Sequence, residues 1–99
     1  MHARVSTYHG DEPEKFEEGL RTVTPQLESI AGFSHALFLI DRQSGKAISI
    51  TVWDSEEALT ASAEQANQMR QQATEPSGAS IDSVEQYEVA MTVGHTAHV

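Results

Sequence analysis

Apolar positions along the chain follow two rhythms, one of period two and one near 3.6, and the rhythms alternate in blocks. Residues Ala3–Tyr8 alternate loosely and carry Val5, Thr7 and Tyr8, which reads as a first strand. The spacing then changes. Phe16, Leu20, Val23, Leu27 and Ile30 stand four, three, four and three apart, which is one stripe on a helix. Gly10-Asp11-Glu12-Pro13 starts that helix, because acids complement the positive end of its dipole and proline is tolerated in the first turn. Pro25 lies inside the stripe, where it costs roughly 3 kcal/mol in an undistorted helix. A kink or break is expected there, with Thr24 capping a new short segment. Gly32 ends the helix, in the usual place for a left-handed cap.

Phe33–Asp41 and Lys46–Trp53 are apolar, β-branched runs flanking Arg42-Gln43-Ser44-Gly45, a hairpin with a four-residue loop. Asp54-Ser55-Glu56-Glu57 opens a second helix, with Asp54 or Ser55 as its cap. The stripe of that helix is Leu59, Ser62, Ala66, Met69 and Ala73, mostly small side chains. Glu75-Pro76-Ser77-Gly78 is a loop, Ile81–Met91 the last strand, and Thr92–Val99 a tail without assignment. The order is βαββαβ, one domain over residues 1–99.

The hairpin carries more information than its length suggests. With Asp41 opposite Lys46, Leu39 faces Ile48, Leu37 faces Ile50 and His35 faces Val52. Phe33, His35, Leu37 and Leu39 then share one face with Ile48, Ile50 and Val52. We read that face as the one under the helices. Phe38, Ile40 and Trp53 occupy the other, which a monomer would leave in water. A one-residue slip exchanges the faces and leaves both apolar. Two helices cannot cover two faces, so a second copy of the chain is expected on Phe38, Ile40 and Trp53. The alternative is that Trp53 packs under a loop at the strand end.

Composition narrows the partners. Fifteen acidic against six basic residues give a formal charge of −9, which repels phosphate backbones and anionic lipid. Neither nucleic acid nor a membrane surface is an expected partner. No apolar run approaches the roughly 20 residues needed to span a bilayer, and the default location is the cytoplasm. The absence of cysteine excludes disulfides, thiolate metal sites and thiol nucleophiles. Only 38% of residues are hydrophobic, so burial against a partner chain would help a thin core.

The segment Gly32-Phe33, Leu39-Ile40-Asp41, Ser44-Gly45-Lys46 and Trp53-Asp54-Ser55-Glu56-Glu57-Ala58-Leu59 resembles the antibiotic biosynthesis monooxygenase family. Thr24-Pro25-Gln26-Leu27 is also similar, and the resemblance extends to Tyr87-Glu88-Val89. It implies a ferredoxin-like α+β fold, an antiparallel sheet with two helices on one face, paired into a dimeric α+β barrel. It further implies oxidation of aromatic molecules by molecular oxygen without metal or flavin. Haem-degrading members use an asparagine on the first strand and a tryptophan and histidine on the second helix. Here the first strand offers Ser6 and Thr7, the only asparagine is Asn67, and Glu56–Ala73 holds neither tryptophan nor histidine. Haem degradation is not expected.

His35 is the candidate catalytic residue, a general base near neutral pH in a pocket between sheet and second helix. The other reading is a histidine near a strand end whose imidazole is satisfied by backbone or water. Ser62, Ala66, Met69 and Tyr87 are the candidate pocket lining. Tyr8, like Tyr87, is a possible hydrogen-bond donor to a ligand, although such tyrosines more often pack their rings and leave the hydroxyl wet. His95 and His98 with His2 and His9 would make a zinc site only if the termini met, and no metal or cofactor is expected. The function implied is a cofactor-independent monooxygenase acting on a small apolar or aromatic molecule. The alternative is a non-catalytic ligand-binding or structural dimer.

Overall fold

A computed structural model describes residues 1–94, so His95 and His98 lie outside it. The elements are β1 (His2–His9), α1 (Pro13–Glu28), β2 (Phe33–Asp41), β3 (Lys46–Trp53), α2 (Glu56–Ala61), α3 (Ala63–Thr74) and β4 (Ser80–Glu88). The four strands form one antiparallel sheet in the order β2-β3-β1-β4, the ferredoxin-like arrangement. Among the described residues no helix is long and apolar enough to cross a membrane.

Local chemistry accounts for the elements and for three departures from expectation. α1 runs unbroken through Pro25. The proline cannot donate to the carbonyl of Arg21, but the Thr24 hydroxyl donates to that same oxygen at 3.2 Å. Thr24 thus serves the helix instead of restarting it. The second helix, by contrast, is broken. Ser55 caps α2, accepting from the Ala58 amide at 3.1 Å, and Ser62 separates α2 from α3. The Ser62 hydroxyl donates to the Leu59 carbonyl at 2.8 Å and so occupies an acceptor of the last turn. Gly32 is not the helix cap, since α1 ends at Glu28 with Ser29 as its cap. It takes φ +83° in the turn before β2, and its carbonyl accepts from the Asp54 amide at 2.8 Å.

The hairpin register is as expected: Asp41 opposite Lys46, Leu39 opposite Ile48, Leu37 opposite Ile50 and His35 opposite Val52. The assignment of its faces is reversed. Phe38, Ile40 and Trp53 lie under the helices, packed in or against a core of Tyr8, Phe16, Leu20, Val23, Leu27, Leu59 and Met69. They are therefore not the dimer contact expected of them. Alternation of period two separates two faces but cannot say which is inner when both are apolar. Trp53 decides it here. The helices enclose it completely, and burying about 150–250 Å² of tryptophan at about 25 cal/mol per Å² is worth about 4–6 kcal/mol. A bulge at Ser34 brings Phe33 to the same side, where its ring meets Trp53 edge-on at 5.5 Å. His35, Leu37, Leu39, Ile48 and Ile50 instead form, with Val5, the outer face of the sheet, on which Leu37 is 55% and Leu39 48% exposed.

Candidate functional site

β1 places its polar residues inward. Arg4, Ser6 and Tyr8 pair with Thr51, Ser49 and Ala47 of β3 and point toward the helices, while Val5 and Thr7 point outward. α1 and α3 span this polar floor with an apolar roof of Leu20, Val23 and Leu27 on one helix and Ala66, Met69 and Ala73 on the other. Phe38 closes the β2 side. The cleft between floor and roof holds about 50 Å³ and is open to solvent. Ligand pockets run to about 300–1,000 Å³, so a small aromatic molecule would project from this cleft into solvent.

Two hydrogen-bonded groups organise the floor. The Tyr8 hydroxyl and Ser49 Oγ lie 2.9 Å apart. Arg4, only 3% exposed, donates from Nη2 to the Leu59 carbonyl at 2.7 Å and from Nη1 to Ser62 Oγ at 3.3 Å. Its guanidinium lies 5.9 Å from the centre of the Trp53 ring, within cation–π reach. Arg70 enters from α3, and its Nε is buried with no hydrogen-bond partner. Burial pushes the Arg4 guanidinium below its ordinary pKa, and the charge of Arg70 adds to that. Burial also lowers Arg70, with Tyr8 opposing the shift. Arginine nevertheless keeps its proton in proteins, so the cleft holds two positive charges.

The expected pocket residues divide. Ala66 and Met69 line the cleft. Ser62 is buried at the α2–α3 junction, one step away, where it receives Arg4. Tyr87 is half exposed on the sheet's outer face, where a hydrogen bond from its hydroxyl to Glu85 raises its pKa. It does not line the cleft. His35 is also on the outer face and exposed, with Nδ1 2.9 Å from Ser34 Oγ. Its expected place in a helix-side pocket is overturned by the reversal of faces. Arg4, Ser49 and Arg70 were missed by the sequence reading, and two signals pointed to them. Arg4 shares its alternation with Ser6 and Tyr8, and Arg70 stands four residues after Ala66, inside an apolar helical stripe. Among the described residues no three His, Asp or Glu side chains converge as a metal site.

No protein-family model matches the chain. Two uncharacterised proteins of Mycobacterium tuberculosis, from strains CDC 1551 and H37Rv, are each 37% identical to it over 68 residues. That span is 69% of this chain but only 30% of each relative, so the chain matches less than a third of their length. Solved structures agree over nearly the whole chain. A Deinococcus radiodurans protein described as a candidate antibiotic biosynthesis monooxygenase superposes with a TM-score of 0.73 at 15% identity, covering 98% of this chain and 100% of its own. SnoaB, a cofactor-independent oxygenase of Streptomyces nogalater, gives 0.74 at 16% identity, with coverage of 95% and 97%. MhuD, a haem degrader of Mycobacterium tuberculosis with two haems in its active site, gives 0.72 at 20% identity, with coverage of 95% and 100%. The chain has the fold of the antibiotic biosynthesis monooxygenases, as the residues from Gly32 to Leu59 implied.

Proposed function

We propose that this protein is a monooxygenase-like cytoplasmic enzyme that oxidises a small aromatic molecule with molecular oxygen, using neither metal nor flavin. The observation that carries this reading is the cleft, with apolar walls from α1 and α3 over a floor of convergent polar groups. In such a reaction an activated ring methylene becomes a carbonyl. Carbon gives up four electrons to O₂; one oxygen atom enters the carbonyl and the other leaves as water with the two hydrogens. The substrate is its own reductant. The protein's part is to bind the ring, exclude water and lower the cost of the electron-rich anion that meets oxygen. The Tyr8–Ser49 pair supplies the neutral hydrogen bonds at the floor.

Val5, Leu37, Leu39, Ile48 and Ile50 support a homodimer formed through the outer sheet face, since that much apolar surface seldom stays in water. A second reading, a ligand-binding dimer without catalysis, draws on one feature. None of the residues lining the cleft is a histidine, aspartate or glutamate, so no side chain there is an obvious general base.

The test is oxidation of anthrone to anthraquinone under ¹⁸O₂. The enzyme reading expects turnover above the spontaneous rate, one labelled oxygen in the product, and loss of rate in Tyr8→Phe. Binding without any acceleration would leave the second reading in its place.

A further inference from the structure

We infer that the occupant of the cleft is an organic anion, a carboxylate or phenolate on an aromatic body, held by Arg70 with Arg4 behind it. This rests on the cleft being the binding site and adds the charge of what binds there. Three observations converge. First, the chain carries six cationic side chains against fifteen acidic ones, yet no carboxylate is buried anywhere among the described residues. Lys15, Arg21 and Arg42 pair with glutamates at the surface, whereas neither Arg4 nor Arg70 has an acidic partner. Second, both arginines line the same cleft, so they repel each other and share one missing counter-charge. Third, Arg70 presents a buried Nε–H with no acceptor.

A half-buried charge beside a second cation, without an acidic partner, is costly, and a protein with acids to spare has left this one unanswered. A carboxylate or phenolate oxygen at the Arg70 guanidinium would neutralise the pair, with the Tyr8 and Ser49 hydroxyls beside it. The apolar roof asks that the rest of the ligand be a ring. Excess negative charge elsewhere on the chain gives specificity by contrast: an anion is repelled at most surfaces and welcomed at this one.

The experiment compares isosteres that differ in charge, benzoate with benzamide and 2-naphthoate with 2-naphthamide, by calorimetric titration of the full chain at low salt. Binding in the cleft is located by the ¹³C-methyl signal of Met69, which should shift while that of Met91 does not. The anion is expected to bind about tenfold more tightly than its amide, the ratio typical of one charge-assisted hydrogen bond. Arg70→Gln should abolish that preference, and Arg70→Lys should keep most of it. Equal affinity for acid and amide at Met69 would overturn the anion assignment and leave the cleft as the binding site. Failure of all four probes to move Met69 would overturn both. Displacement of benzoate by an equal concentration of inorganic phosphate would show a bare-anion site and overturn the aromatic part.

Discussion

Gly19 offers the sharpest test of how the roof of the cleft is built, because two rules predict opposite signs for Gly19→Ala. Glycine inside a helix is about 1 kcal/mol worse than alanine, so propensity alone predicts a more stable protein. The structure opposes this. A Cβ on Gly19 would stand 2.3 Å from the carbonyl oxygen of Ala73 and 3.1 Å from its Cα, both backbone atoms of the neighbouring helix. Carbon and oxygen approach no closer than about 3.3 Å even in favourable contacts, so α1 and α3 must separate by about 1 Å. A gap of that size forfeits up to half of the dispersion energy at each affected contact, and overpacking of this kind typically costs 1–3 kcal/mol or more. A backbone contact this short belongs to the upper part of that range, and after the about 1 kcal/mol gained in propensity we expect a net loss of about 1–2 kcal/mol, or about 5–15 °C in Tm for a domain of this size. Thermal and urea unfolding by far-UV circular dichroism, at one fixed protein concentration, measures it. Because Leu20 and Ala73 line the cleft beside this contact, probe affinity should fall as well. A Gly19→Ala variant as stable as the parent, or more stable, would mean that the helices are not held at the distance described.

The remaining predictions concern the surface, the hairpin and the chemistry. Leu37→Asp should give a monomer by light scattering with unchanged circular dichroism, whereas Phe38→Asp should unfold the chain. If Leu37→Asp leaves the particle mass unaltered, the outer face is not the interface. Asp41 accepts from the Gln43 amide at 3.0 Å and, more weakly, from that of Ser44, and these bonds hold its carboxyl below the usual range. A depressed folded-state pKa contributes stability above the unfolded value near 4 and loses it as pH falls through the folded value. The urea midpoint of the parent should therefore drop below about pH 4 more steeply than that of Asp41→Asn; parallel curves would contradict the role of the loop. Haemin with a reductant should keep its Soret band in the presence of the protein, because α2 and α3 carry neither tryptophan nor histidine. Stoichiometric conversion to a single tetrapyrrole would refute this.

The sequence made the elements and the hairpin register legible because both depend on periodicity, which local sterics impose. It left the inner face open. Leu37 and Phe38 are equally apolar neighbours, and only the placement of α1, a long-range event, decides which is covered. The site was lost with the face. His35 stands out for its chemistry, while Arg4 is marked only by sharing its alternation with Ser6 and Tyr8. Ala66 and Met69 were found because their helix has only one side that can meet the sheet. Arg70 gives a weaker signal, because arginines on helices are usually solvated.

The sheet order has a kinetic consequence. In the β2–β3 pair Asp41 meets Lys46 across a four-residue loop, but β1 joins only distant segments, with His2 opposite both Trp53 and Glu88. Closing a loop of about 50 residues rather than about five costs about 2 kcal/mol more in chain entropy. The hairpin therefore forms early, within about 1–10 μs, and the first strand enters the sheet late. Until it does, the polar floor does not exist, because Arg4, Ser6 and Tyr8 all ride on that strand. The hairpin is therefore expected to form before the binding groove, and hydrogen-exchange protection of the β2–β3 amides should run ahead of recovery of ligand binding.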